Sequence, residues 1–260
     1  MDAARLAGVG ALLLFLVVSE IAARFQRTAQ AEAAASRWTG LALFGWLLAA
    51  RAGFVAANWP DYAARPMDVL RLWQGGFLPA AGWAVGGAIV LFAFLRGARG
   101  AVRPVVLGGI AALLMQGAVA AAFPPPTVML PRLQMTDLDG GAVPLVVRDR
   151  PVVLNLWATW CPPCRREMPM MTELAAGTPQ VDFVFANQGD SVAQVRAFLK
   201  GHGLSHAGMV RDPQNLLMAE LDAVGLPATL VFDARGRLVG AHTGEISRAA
   251  LSRMIARAAR

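Results

Sequence analysis

The sequence predicts two parts of different fold class: a four-helix transmembrane domain, then a mixed α/β layer domain. Three observations predict this. Apolar residues make up 56% of the 260-residue chain and the mean hydropathy is +0.48, too apolar for two ordinary soluble domains. The surplus lies in the first half, as long uninterrupted apolar segments. The second half instead alternates short strand-like runs, glycine turns and helix signals, and it holds the only two cysteines of the chain.

Leu6 to Ala23, Trp38 to Ala57, Phe77 to Leu95 and Pro104 to Phe123 are each close to the roughly 20 residues that cross a bilayer as a helix. Loop arginines orient them. The first loop sets Arg24, Arg27 and Arg37 against Glu32, and the third sets Arg96, Arg99 and Arg103 against no acid, so both are expected on the cytoplasmic side. The second loop balances Arg65 and Arg71 with Asp61 and Asp68 and is expected outside, as is everything after Phe123. An even number of spans places both termini and the cysteines outside, in an oxidising compartment. Ala29-Gln30-Ala31 offers a cleavage-like site, but removing the first segment would leave three spans and invert every loop. Trp38, Trp59 and Trp73 are expected in an interfacial belt. The net charge of +7 is carried by loop and scattered arginines, and without a basic run interleaved with aromatics it does not imply nucleic acid.

The expected boundaries are a membrane domain at 1–123, a proline-rich linker at 124–128 and the α/β domain at 129–260. Pro124-Pro125-Pro126 is expected to be an extended spacer. Beyond it, Asp137-Leu138-Asp139-Gly140-Gly141 reads as a hairpin turn, and Val152 to Trp157, Val181 to Ala186 and Ala228 to Phe232 read as strands. Asp233-Ala234-Arg235-Gly236 is a turn, and Ser247 caps a final helix running towards Arg257.

The chemistry concentrates at Trp160-Cys161-Pro162-Pro163-Cys164. With no spare thiols there is no structural disulfide framework. Cys161 is expected just before a helix N-terminus, solvent-facing, where free N–H groups and the macrodipole favour thiolate, and Cys164 one turn inside. One thiol attacks and the other resolves. Pro162 and Pro163 lack an N–H, leaving mainly the Cys164 N–H and the dipole near the Cys161 sulfur, which tilts the pair towards a reductant. A metal reading would need His202 and His206 as the second half of a site. A strand and a helix intervene, however, where zinc spacing allows about a dozen residues. Both histidines are expected in a solvated loop after a helix ending near Lys200, and His242 on a surface strand. Ala158 stands where peroxiredoxins carry Thr or Ser, which argues against a peroxidatic cysteine.

Val153-Leu154-Asn155-Leu156-Trp157-Ala158-Thr159-Trp160-Cys161-Pro162-Pro163-Cys164-Arg165-Arg166-Glu167-Met168-Pro169 and Gly225-Leu226-Pro227-Ala228-Thr229 carry a resemblance to the thioredoxin superfamily. Within it, the chain resembles the membrane-anchored, extracytoplasmic TlpA/ResA/CcmG-like thiol-disulfide oxidoreductases, over Met129 to Arg260. The resemblance implies a central mixed sheet flanked by helices, and a cis bond at Pro227 in a loop that faces the cysteines and receives a partner's extended backbone. Trp160, Pro162, Pro163, Leu226 and Pro227 are the substrate-binding residues so implied. Thioredoxins place an aspartate six residues before the first cysteine, where this chain has Asn155. Related proteins carry a glutamate at Glu167, which makes Glu167 the candidate proton acceptor for Cys164. The alternative is a first-turn acid that complements the helix dipole. No metal and no cofactor beyond the Cys161–Cys164 disulfide is implied.

In the first half, Arg51-Ala52-Gly53-Phe54-Val55, Pro66 and Trp73-Gln74-Gly75-Gly76-Phe77 resemble part of prolipoprotein diacylglyceryl transferase, over residues 51–86. That family's His-Gly-Gly falls on Ala80-Ala81-Gly82, so transferase catalysis is not expected. Arg51, a charge within a span, is expected to snorkel or to pair with an acid such as Asp61, or else to mark a retained lipid or partner site.

Three functions are consistent with these residues. The first is a reductase of periplasmic protein disulfides in a bacterial inner membrane, supplied by a membrane electron donor. A disulfide oxidase or isomerase of the same fold is the second. The third is a lipid- or lipoprotein-binding membrane module with a redox-sensing domain.

Overall fold

The computed structural model describes residues 3–63, 66–123, 127–146 and 149–259. The expected Pro124–Pro126 spacer and Arg65 lie outside the described residues. The chain forms two compact units: residues 2–59 with 76–125, and residues 60–75 with 126–260.

The first unit contains α1 (Ala3–Arg24), α2 (Ala29–Ala57), α4 (Pro79–Leu95) and α5 (Arg99–Ala122), one for each expected apolar segment. Among the described residues, α2 and α5 are long and apolar enough to cross a membrane by length and composition, whereas α4 is a shorter apolar helix. The sequence had Phe77 and Leu78 inside that segment. Instead Leu78 is an extended N-cap and Pro79 the first helical residue, because proline has no N–H to donate and suits that position. Small residues let the helices approach. A Cβ on Gly108 would collide with Ser19 Oγ, and one on Gly82 would stand 2.8 Å from the Trp46 ring. Arg51 is buried rather than snorkelling to solvent. It is 5% exposed, donates Nη1 to Gly76 O at 3.0 Å and sits 5.9 Å from the Phe77 ring centre, so the motif residues on either side of the 60–75 segment meet one another.

The second unit is built on seven strands: β1 (Gln134–Asp137), β2 (Ala142–Pro144), β3 (Val152–Trp157), β4 (Asp182–Gln188), β5 (Met209–Asp212), β6 (Ala228–Phe232) and β7 (Leu238–Thr243), in the order β2-β1-β5-β4-β3-β6-β7. β3, β4 and β5 run parallel, and β1, β6 and β7 are antiparallel to their neighbours, giving the expected mixed sheet. The β1–β2 turn forms where expected: Asp137 Oδ1 accepts from the N–H groups of Asp139 and Gly141.

β3 is buried throughout and, Asn155 apart, apolar, because both its faces are covered. Val153 and Trp157 enter a core with Met168, Met171 and Leu251, while Leu154 and Leu156 enter another with Leu217, Leu230 and Phe232. The helices are α6 (Pro162–Ala176), α7 (Val192–His202), α8 (Leu216–Glu220) and α9 (Arg248–Ala258), with Ser247 Oγ capping α9 through Ala250 N. His202 closes α7 rather than lying beyond it, held by its ring nitrogen against Phe198 O at 2.8 Å; His206 is in the following turn. Val128, expected at the end of the linker, accepts a hydrogen bond at its carbonyl from Leu238 N at 2.8 Å.

The segment 60–75 joins this unit through the end of α3 (Trp59–Ala63) and two 3-10 turns, Pro66–Leu70 and Leu72–Gln74. Its anchor is polar: Gln74 Nε2 donates to Glu245 Oε1 at 2.8 Å, and Arg71 Nη1 lies 3.7 Å from the same oxygen.

Candidate active site

Cys161 is the N-cap of α6, with Pro162 and Pro163 as the first two helical residues. Its sulfur accepts from Cys164 N at 3.3 Å, the donor expected once the prolines are discounted. The two cysteines form a disulfide. Cys161 is 3% exposed rather than solvent-facing: its sulfur turns inward to Cys164, which is wholly buried, and the outward surface at this helix end comes from Trp160, 67% exposed, and Pro162. The Leu226–Pro227 bond is cis, and Leu226 packs against the core that holds both cysteines. Pro227 itself is buried, and its carbonyl accepts from Gly244 N.

Glu167 lies one helical turn beyond Cys164 and is 2% exposed. Alternation along β3 aims Asn155, between Val153 and Trp157, at the same face, and Asn155 Nδ2 donates to Glu167 Oε1 at 3.0 Å and to Thr229 Oγ1 at 3.1 Å. Ile246 N donates to Glu167 Oε2 at 3.1 Å. Burial outweighs these bonds and pushes the Glu167 carboxyl up to about 8, with the nearby Glu245 adding to the rise. A carboxyl so placed is protonated or ionised within the neutral-to-alkaline range, which suits exchange of a proton with a buried thiol.

Sequence reasoning missed three supporting residues. Asp190 Oδ2 accepts from Thr159 N at 2.7 Å and from Asn187 Nδ2 at 2.8 Å, fixing the turn into Cys161. Thr229 orients Asn155. Glu245, 5% exposed, takes two bonds from Arg166, at 2.8 and 2.9 Å. Thr229 closes the Gly225–Thr229 motif but was given no role there; Asp190 and Glu245 stand in no motif, and the one signal for Glu245 was its place directly before the Ile246-Ser247 cap.

A family model described as AhpC/TSA family matches residues 126–241. The thiol:disulfide interchange protein DsbE homolog of Paracoccus denitrificans is 32% identical over 96 residues, 37% of this chain and 52% of that protein. Thiol-disulfide oxidoreductase ResA of Geobacillus kaustophilus is 32% identical over 126 residues, 47% of this chain and 72% of the relative. The chain belongs to the thioredoxin-like thiol-disulfide oxidoreductases of ResA and DsbE type. It spans 52%, 64% and 65% of the length of three ResA and DsbE relatives, the Paracoccus protein among them. A solved structure, MTB dsbF in its mixed oxidised and reduced forms, is 25% identical and covers 50% of this chain and 99% of that chain, with a TM-score of 0.47. In this ResA/DsbE-type domain the residues brought together are Cys161, Cys164, Glu167, Asn155 and Leu226; Arg51 belongs to the other unit.

Proposed function

We propose that the protein is a multi-pass inner-membrane enzyme whose thioredoxin-like domain, on the periplasmic side, reduces disulfides of protein substrates. Four spans with both termini outside follow from the loop arginines, with the helical 1–123 region as anchor and 129–260 as catalyst. The observation that carries the chemistry is the Cys161–Cys164 pair at the N-terminus of α6 with buried Glu167 one turn on.

In the reduced enzyme the Cys161 thiolate attacks one sulfur of a substrate disulfide. A Cys161–substrate bond forms, the substrate S–S bond breaks, and the departing thiolate takes a proton. Glu167 then accepts the Cys164 proton. The Cys164 thiolate attacks Cys161 Sγ, closing the enzyme disulfide and releasing the second substrate thiol. Two electrons pass to the substrate, and a membrane thiol donor restores the pair. Trp160, Pro162, Pro163, Leu226 and cis-Pro227 form the surface that holds the substrate chain beside Cys161.

Both directions of exchange use the same atoms, so the steady state in cells decides between reductase and oxidase. Acid-quenched cells treated with a maleimide should show Cys161 and Cys164 predominantly as thiols. A pair found predominantly as disulfide during growth overturns the reductase reading in favour of the oxidase.

A further inference from the structure

Gln74, Arg71 and Asp68 come from the 60–75 segment, yet together with α6 and the turn before α9 they enclose a cavity of about 390 Å³ that reaches Glu167. The wall is polar. Gln74 is 4% exposed, its Nε2 committed to Glu245, while its Oε1 is buried with no hydrogen-bond partner among the described residues. Glu245 is held from three sides by Gln74, Arg71 and Arg166. We propose that the 60–75 segment is part of the thiol machinery: Gln74 is a positioning residue that, by holding Glu245, keeps the cavity over Glu167 closed and so sets the pH at which Glu167 takes the Cys164 proton. The inference rests on the reading of Glu167 as that proton acceptor.

Charges reach Glu167 from each element around it. Arg166 and Glu173 lie on its own helix, Glu245 on the turn before α9, and Arg248 on α9, paired with Glu173 at 2.7 Å. Asp61, Asp68 and Arg71 come from the 60–75 segment, while β3 presents only the neutral Asn155. Gln74 is neutral, so removing it adds no charge. Its loss admits water, which favours the ionised carboxylate and lowers the pH at which Glu167 becomes a base.

The test uses the full chain in nanodiscs, reduced and mixed with 5,5′-dithiobis(2-nitrobenzoate). Attack by Cys161 releases one thionitrobenzoate and resolution by Cys164 the second, so the slow phase reports resolution. Its rate is followed from acid to alkaline pH in the parent, Gln74→Ala, Glu167→Gln and the double variant. Glu167→Gln should remove one rise from the parent profile. Gln74→Ala should move that rise to lower pH by roughly one unit, and the double variant should superimpose on Glu167→Gln. Gln74→Leu, which keeps the bulk and loses the bonds, should shift the same way and serves if Gln74→Ala does not fold. An unmoved rise in a folded Gln74 variant overturns the inference and leaves Glu167 as base. A profile unchanged by Glu167→Gln overturns the base reading itself, and the inference with it.

Discussion

In the unit of α1, α2, α4 and α5 the large apolar side chains lie outside. Leu13, Phe44, Leu48, Leu91 and Leu114 are all more than half exposed, and the interior is filled by Ala11, Ala23, Ala35, Ala50 and Ala101. In residues 126–260 of the unit built on β3 the pattern is reversed: Trp157, Leu154, Leu156, Phe185 and Phe232 are buried, and among the described residues there only a few large apolar groups, such as Trp160, Leu216 and Val224, stay outside. The difference supports the proposal that the two units meet different solvents. Hydrophobic burial drives the second unit together in water. In the first, small residues bring helix backbones close and leave the apolar bulk outward, the arrangement that the proposed membrane anchor needs. The few outward apolar groups of the second unit then become informative, and Trp160 stands at the cysteine pair.

The largest expected effect comes from charging equivalent surfaces of the two units. Ile110 and Leu114 are about half or more exposed on α5, and Val224 is 68% exposed on the other unit. Lysine near a span centre costs roughly 2.5–3.5 kcal/mol of insertion, while an exposed site in water is worth about 0.5 kcal/mol or less. A periplasm-dependent phosphatase fused after Ala259 should be active in the parent and with Val224→Lys, and largely silent with Ile110→Lys and Leu114→Lys together. Equal activity in all three would remove the contrast between the units and the four-span topology with it.

A smaller effect sharpens the comparison within the second unit, where the buried acid Glu167 departs from the apolar rule. Folding raises the Glu167 carboxyl from its ordinary value of 4.5 to about 8, so the native state binds the proton more tightly than the unfolded chain. Its contribution to stability is therefore complete below about pH 4.5 and is lost as pH rises through about 8. Glu167→Gln does not titrate. Relative to the parent, its Tm should move upward by a few degrees between about pH 5 and about pH 9. A pH-independent Tm difference would mean that Glu167 is not buried as an acid.

Much of the second unit was legible because local chemistry and tertiary need coincide there. The β3 run is apolar since two cores flank it, the Asp137–Gly141 turn carries its own Asp137 hydrogen bonds, and Ser247 caps α9 as its side chain dictates. Cys161 at the N-cap followed from the spacing to Pro162 and Cys164. Its burial did not, because that depends on the inward turn of the disulfide. β5 was missed: Met209–Asp212 is four residues long and is defined by its neighbours β4 and β1 rather than by its own pattern. The docking of 60–75 was invisible for a related reason, since Gln74 and Glu245 are 171 positions apart and the motif that holds Gln74 says nothing of Glu245. Arg51 looked like a charge seeking water. One group it bonds, the Gly76 carbonyl, is a backbone group that sequence does not advertise.

The central claim is division of labour between two thiols, and it is tested most directly by mass spectrometry of the reduced Cys164→Ser protein after mixing with a disulfide-bonded peptide. The account predicts a stable adduct of half the peptide on Cys161, formed to about one equivalent and not turned over, whereas the parent ends as the Cys161–Cys164 disulfide with no adduct. A Cys164→Ser protein that reduces the peptide through repeated turnovers at the parent's rate, without an adduct on Cys161, would contradict it.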